Sequence, residues 1–336
     1  MIENLKVLSK EEGLHFLGIS SLDLEEDYLR FKQWLSESKQ AGMQFLEKYE
    51  DIRRDPSRLL PDAKCAVILG LSYDQGDIWP PQENESPRIA QYARFKDYHK
   101  LFKEKAERIF ARLNVKTPQL KYRVCVDTAP LLERALAAKA QQGFIGKNTC
   151  YIHESHGSFL LLAVVLCNQE PDSASVSVSS GCESCTLCQV NCPTGALNTD
   201  YSIDSRKCLS YWTIEHRGEI PLEFWPHLSK YYFGCDICQL VCPYNQQARE
   251  NSLDQKIPTR TFPDLKTTAL MNEADYQKFF GGTPLTRAKR NGLRRNAIIA
   301  LRVSKHSGWE EVAAELANDP DPIIQSTLST ASNYFN

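Results

Sequence analysis

The sequence predicts an α+β protein in three parts: a mixed helix–strand region over residues 1–172, a cysteine-rich module over 173–250, and a helical segment over 251–336. Three observations carry this prediction. Apolar runs of strand length alternate with helical periodicity through residue 170. Eight cysteines crowd into residues 182–242. Beyond residue 263 only helical patterning remains.

Taken in order, residues 1–60 read as amphipathic helices, as in Tyr28-Leu-Arg-Phe-Lys-Gln-Trp-Leu35. Cys65 to Tyr73 is a short apolar run and predicts a buried strand. Gln75 to Pro87 is a proline-rich polar loop. Asp97 to Leu113 has helical spacing, and Tyr122 to Asp127 reads as a strand ending on a carboxylate. Pro130 opens a helix over 131–142 that Gly143 closes, the usual proline-first, glycine-last asymmetry. Residues 150–152 and 158–166 read as a strand pair around a His-Gly turn. Ser-rich 171–181 and polar 251–263 read as linkers. The last part holds helices over 286–302 (one helix, or two short ones broken near Gly292), 309–317 and 322–331, punctuated by Asp-Pro-Asp-Pro, in the manner of a HEAT-type repeat.

Composition narrows the function. At 336 residues there is room for two or three domains, and a formal net charge of −2 gives no global pull toward nucleic acid. No apolar run is long enough to span a bilayer. The N-terminus has no signal-like apolar stretch, so a cytoplasmic location is expected, where cysteines stay reduced and free for metal. One segment departs from neutrality: Arg287, Lys289, Arg290, Arg294, Arg295, Arg302 and Lys305 lie between Pro284 and Lys305 without an acidic residue. Such a run predicts phosphate contact, against the plainer reading of a solvated helix face.

The cysteines carry the chemistry. Cys182, Cys185, Cys188 and Cys192-Pro193 make a complete C-x2-C-x2-C-x3-C-P run, the loop that wraps a cubane iron–sulfur cluster. Cys235, Cys238 and Cys242-Pro243 repeat it without the leading cysteine, which Cys208 can supply. The fourth cysteine of such a run ligates the other cluster. Cys182, Cys185, Cys188 and Cys242 would therefore hold one 4Fe–4S cluster, and Cys192, Cys208, Cys235 and Cys238 the second. Zinc ribbons also use C-x2-C pairs, but they do not require this doubled run with its prolines. Cys65, Cys125, Cys150 and Cys167 lie in apolar strands and read as core residues. No nicotinamide, flavin or Walker fingerprint accompanies the clusters. By position alone, Asp127 between a strand and a helix is more readily a cap than an acid.

Taken together, the chain resembles the epoxyqueuosine reductases, cobalamin-dependent tRNA-modifying enzymes related to reductive dehalogenases. The resemblance runs over nearly the whole chain. It rests on Arg53-Arg-Asp-Pro56, Asp97-Tyr-His99, Val126-Asp-Thr-Ala-Pro130, Gly143-Phe-Ile-Gly-Lys-Asn148, Pro193-Thr-Gly-Ala196 and Arg206-Lys-Cys-Leu-Ser-Tyr211. Tyr232 to Asn245 and Leu293 to Leu301 complete it.

The resemblance implies that residues 1–172 form a cobalamin-binding α/β domain, 173–250 a ferredoxin-like two-cluster module and 251–336 a HEAT-like tRNA-binding domain. It implies that Co(I) cobalamin, fed by the clusters, reduces the epoxide of epoxyqueuosine at tRNA position 34 to queuosine. Asp127 would be the proton donor, its pKa raised by partial burial. Arg53, His99, Thr128, Arg134, Lys147, Asn148, Gly157 and Ser210 would surround the cobalamin. Arg287, Lys289, Arg290, Arg294 and Arg295 would hold the tRNA. A flavodoxin or ferredoxin would supply electrons to a monomeric enzyme that uses no membrane. Some family members place a cysteine nine residues before the histidine, where this chain has Ala90. Two other readings stay open: a corrinoid dehalogenase-like enzyme acting on a small molecule, and a ferredoxin-type carrier without chemistry of its own.

Overall fold

A computed structural model describes residues 2–78, 80, 86–140, 142–169, 181–197, 201–251 and 261–335. The expected linkers at 171–181 and 251–263 fall almost wholly outside these residues, as does part of the loop at 75–87. The strands are β1 (His15–Ser20), β2 (Cys65–Ser72), β3 (Arg88–Ile89), β4 (Tyr122–Cys125), β5 (Gly143–Ile145), β6 (Tyr151–His153), β7 (Leu160–Cys167) and β8 (Tyr231–Phe233).

Strands β1, β2, β7 and β4 form one antiparallel sheet in that order. The near-continuous apolar character of β2 and β7 reflects burial on both faces. Cys65, Val67, Leu69 and Leu71 face helices Ile2–Glu11 and Tyr98–Lys116, where Phe102, Ile109 and Phe110 are buried. Ala66 and Ile68 face the other way, toward helix Glu133–Lys139. Alternation with period two thus assigns each side chain to a layer. Each fully buried Phe or Ile contributes about 1.5–3 kcal/mol.

Two expectations change here. The stretch read as all-helical contains β1, whose Phe16/Gly18 irregularity obscures its alternation. The strand pair expected around the His-Gly turn does not form. β6 pairs with β5, while β7 pairs with β2 and β4, and only a bridge between His153 and Gly157 joins the turn. An apolar eight-residue strand goes to the sheet centre, where both its faces are covered; β6 spans only three residues.

The cysteine module and the C-terminal helices share one apolar core, running from Leu209 through Phe233 and Ile237 to Ala331. Helix Lys289–Val303 lies at its centre, unbroken at Gly292, with Leu293 and Ala297 to Leu301 fully buried. Helices Leu265–Leu270, Trp309–Glu315 and Pro322–Ser332 pack around it.

This packing overturns part of the basic-helix expectation. Arg294 and Arg295 are interior, 3% and 0% exposed, and cannot meet a phosphate. Arg294 donates from Nε to the Ala269 carbonyl (2.9 Å) and pairs with Asp319. Arg295 donates to the carbonyls of Trp212, His216 and Gly218 and to Asn296 Oδ1. Asn296 in turn donates to the carbonyls of Thr213 and Tyr232. The carbonyls at 212, 213 and 216 belong to or follow a one-turn π-helix, Tyr211–Glu215, just after Cys208. Tyr232 precedes Cys235 by three residues. The helix therefore braces two segments that carry cluster cysteines.

Candidate active site and cluster loops

Asp127 follows β4 with a left-handed backbone (φ 54°), held there by its own N–H, which donates to Glu133 Oε1 at 2.8 Å. Its side chain is 60% exposed, with Oδ2 3.0 Å from His99 Nε2. His99 Nδ1 meets Asp97 Oδ1, and Asp97 also caps helix Tyr98–Lys116 by accepting from the His99 N–H at 3.0 Å. Tyr98 stacks on the imidazole at 4.3 Å. One capping aspartate thus orients a histidine whose other nitrogen faces Asp127.

The electrostatics reverse the expectation for Asp127. Its hydrogen bond to His99 outweighs burial and holds its carboxyl below the usual range. The proton sits instead on His99, pushed up to about 9 by its bond to Asp127, against burial, with Asp97 adding to the rise. Glu133 is pushed up to about 8, first by burial and then by the charge of Asp127. Two groups with raised pKa, His99 and Glu133, thus flank Asp127, whose own pKa is lowered.

Glu133 went unrecognised in the sequence. Its only signal is an acidic residue opening an alanine-rich helix, Glu-Arg-Ala-Leu-Ala-Ala-Lys. Arg287 was assigned to tRNA, yet it also lies within reach of Asp127. It pairs with Glu215 (2.9 Å), sits 5.0 Å over the Phe45 ring, and its charge reaches Asp127. Lys289 is exposed, and half-buried Arg290 pairs with Glu273 (3.3 Å) and donates to the Met271 carbonyl (3.1 Å).

The cysteines gather in two sets. The thiols acting on Cys242 are Cys182 and Cys188, and those acting on Cys188 are Cys182 and Cys185. Cys235 feels Cys208 and Cys192, and Cys238 feels Cys150, Cys235, Cys208 and Cys192. Burial pushes the thiols of Cys208, Cys235 and Cys238 up, so metal must displace their protons to bind. Among the described residues no three His, Cys, Asp or Glu converge on a single metal ion. Eight thiolates in two sets of four fit cubanes, whose four irons spread their ligands more widely than one zinc does. Cys65, Cys125 and Cys167 are buried, whereas Cys150 is half-buried beside Cys238.

Several residues expected around a cofactor also touch the cysteine loops. Lys147 N–H points at Cys182 Sγ (3.3 Å), and Asn148 Nδ2 donates to the Cys238 carbonyl (3.3 Å). Ser210 precedes the π-helix and its N–H bears on the Cys208 thiol. Gly157 (φ 66°) has no room for a Cβ, which would lie 2.2 Å from Asn245 Oδ1. That oxygen accepts from the Ser158 N–H (2.6 Å), while Asn245 Nδ2 donates to Ser158 Oγ and the Gln239 carbonyl. Asn245 thus clamps the N-terminal part onto the second cysteine loop, as does buried Asp236, which accepts from the Gln91 N–H at 2.7 Å. Gly234 (φ 68°) makes a similar close approach, leaving 2.5 Å between its would-be Cβ and Ala90. The Thr128 N–H closes a tight turn over Asp127 by donating to the Val126 carbonyl (2.5 Å), and Arg134 donates to the Thr149 carbonyl (2.6 Å). Arg53 is buried, with Nε unpartnered among the described residues and Glu133 exerting its charge nearby.

Fold and site together define a two-cluster iron–sulfur oxidoreductase with an Asp–His–Asp chain in its N-terminal part. Residues 181–245 match the family model described as a 4Fe–4S double cluster binding domain, and residues 53–128 match "Epoxyqueuosine reductase QueG, DUF1730". An epoxyqueuosine reductase of Leadbetterella byssophila is 34% identical over 90% of this chain and 98% of its own length. One from Xanthomonas campestris is 32% identical over 93% of this chain and 89% of its own. The structure of epoxyqueuosine reductase from Streptococcus thermophilus superposes with a TM-score of 0.86 at 27% identity, covering 98% of this chain and 89% of that one. A solved epoxyqueuosine reductase with a tRNA-Tyr epoxyqueuosine-modified stem loop gives 0.84 at 29% identity, covering 98% and 88%. The chain belongs to the epoxyqueuosine reductase family. No helix among its described residues is long and apolar enough to cross a membrane.

Proposed function

We propose that this chain reduces the epoxide of epoxyqueuosine at tRNA position 34 to the alkene of queuosine, with two clusters feeding a cobalamin held by the N-terminal part. The reaction consumes two electrons and two protons and releases the epoxide oxygen as water. The observation that carries the reading is the Asp97–His99–Asp127 chain, which ends on a solvent-exposed carboxylate. Cobalamin fits the donors that remain there: the buried Arg53 Nε lacks a partner and suits the amide-bearing rim of a corrin. Arg53, Thr128 and Arg134 would hold it, and when bound it would supply low-valent cobalt as the two-electron reductant.

The chain's own residues manage the protons. Asp127 faces the departing oxygen and hands on the proton stored at His99; Asp97 then re-orients the imidazole, and Glu133 fixes the Asp127 backbone. Because the His99 pKa is raised, the ion pair's contribution is complete below about 6.5 and lost as pH rises through about 9. Turnover is therefore expected to decline over the same alkaline range, and His99→Gln to abolish that limb. An external flavodoxin or ferredoxin would reduce the clusters, and the enzyme would act as a cytoplasmic monomer.

The test is anaerobic incubation of reconstituted protein with hydroxocobalamin, a strong reductant and epoxyqueuosine-tRNA, followed by nucleoside mass spectrometry. Queuosine is expected. No conversion with cobalamin unbound would leave the chain an electron carrier.

With Arg294 and Arg295 interior, the tRNA contact falls to Arg287, Lys289 and Arg290. Lys289→Glu with Arg290→Glu is expected to weaken binding of the tRNA stem loop and reduce the slope of log K against log salt by about 1 per lost phosphate contact. Equal affinity and slope in variant and parent would remove this surface from the interface.

A further inference from the structure

The turn Gly146–Cys150 reaches both cysteine loops at once. It is closed by the Gly146 N–H to the Cys150 carbonyl (2.9 Å) and the Thr149 N–H to the Gly146 carbonyl (2.8 Å). Arg134 holds Thr149, whose backbone is left-handed (φ 63°), through its carbonyl. From this rigid turn Lys147 addresses one loop and Asn148 the other.

On the first loop, the Lys147 backbone N–H points at Cys182 Sγ (3.3 Å). Its ammonium donates to the carbonyls of Glu183 (2.8 Å) and Cys185 (3.0 Å). Glu183 is itself left-handed (φ 41°), a conformation that the lysine contact helps hold. On the second loop, the contact is neutral: the Asn148 amide donates to the Cys238 carbonyl (3.3 Å), while its Oδ1 accepts from the Cys150 N–H. The carboxyl of Asp236 lies within that second loop.

We propose that Lys147 raises the reduction potential of the cluster held by Cys182, Cys185, Cys188 and Cys242 relative to that of its partner, so that an electron entering the pair rests on the first cluster. Reduction adds negative charge to a cubane. An N–H aimed at a thiolate sulfur and an ammonium seated on the same loop both stabilise that charge. The second loop receives no such cation from the turn. Lys147 is a positioning and tuning residue here, because its contacts are to backbone and thiolate. The inference rests on the two-cluster reading and does not depend on tRNA or cobalamin.

The experiment is an EPR-monitored redox titration of reconstituted protein without substrate. In Lys147→Met the first cluster is expected to show an approximately tenfold lower reduced-to-oxidised ratio at a fixed poise, about 59 mV for one electron, with the other cluster unmoved. Lys147→Arg is expected to restore the parent value. An unchanged titration, or an equal shift of both clusters, would overturn the proposal. Should Lys147→Met lose iron, Lys147→Gln takes its place, keeping a donor for the carbonyls without the charge. A parent-like potential in Lys147→Gln overturns the tuning, and so does iron loss in Lys147→Gln with retention in Lys147→Arg, which would assign the charge to holding the cluster.

Discussion

Turnover of Asp127→Asn is expected to fall by about 10²–10⁴-fold, the usual worth of a general acid, with cluster spectra unchanged. The substitution preserves shape and leaves the Asp127 backbone bond to Glu133 intact. It removes the atom that accepts the His99 proton and passes it on. Asparagine cannot relay a proton, so the departing oxygen would leave as an unprotonated, high-energy anion. Structure sharpens the experiment. A carboxyl kept protonated only by burial would lose its function across its own titration. A relay through His99 ties the loss to the imidazole, whose proton is held to about pH 9. The informative comparison is therefore the pH profile of the parent against His99→Gln, beside the rate of Asp127→Asn. A parent-like rate in Asp127→Asn would sink the assignment.

Arg295→Met is expected to be among the most damaging single changes in the C-terminal helices. The guanidinium is fully buried and satisfies the carbonyls of Trp212, His216 and Gly218. Burial, and then the charge of Arg217, push its pKa down to about 9, which leaves it charged at neutral pH. Methionine fills much of the volume and none of the hydrogen bonds. Each orphaned interior carbonyl costs about 1–3 kcal/mol, so a net loss on the order of 3–5 kcal/mol is expected after relaxation. Set against a typical total of about 5–15 kcal/mol, that loss is large. Because these carbonyls follow Cys208, the second cluster should be released first. Thermal melting and iron content measure both effects, with exposed Lys305→Met as the control. A melting point equal to the parent would show that the brace does not stabilise the module.

The buried arginines mark where sequence reasoning met its limit. A run of basic residues without acids has the same composition whether it faces phosphate or backbone carbonyls. The partners of Arg295 lie 77 to 83 positions earlier in the chain, and no local pattern announces them. The charge argument for nucleic acid thus loses two of its arginines, and kinship with solved and curated epoxyqueuosine reductases carries the substrate instead. Asp127 teaches a related lesson. Its position between strand and helix was legible, but the sign of its pKa shift was not, because that depends on a histidine 28 residues away.

The sequence by itself determined the redox character and the presence of buried apolar strands. Spacing of thiolates within a tight loop is a local property, and so is the unbroken apolar character of β2 and β7; both survive without knowledge of any distant contact. Tertiary structure alone decided which carboxyl holds a proton, which cations are free to meet a partner, and how the cluster loops are tied down. Those depend on desolvation and on hydrogen bonds between residues far apart in the chain, where energies are set by the neighbour that arrives and not by the neighbour in sequence.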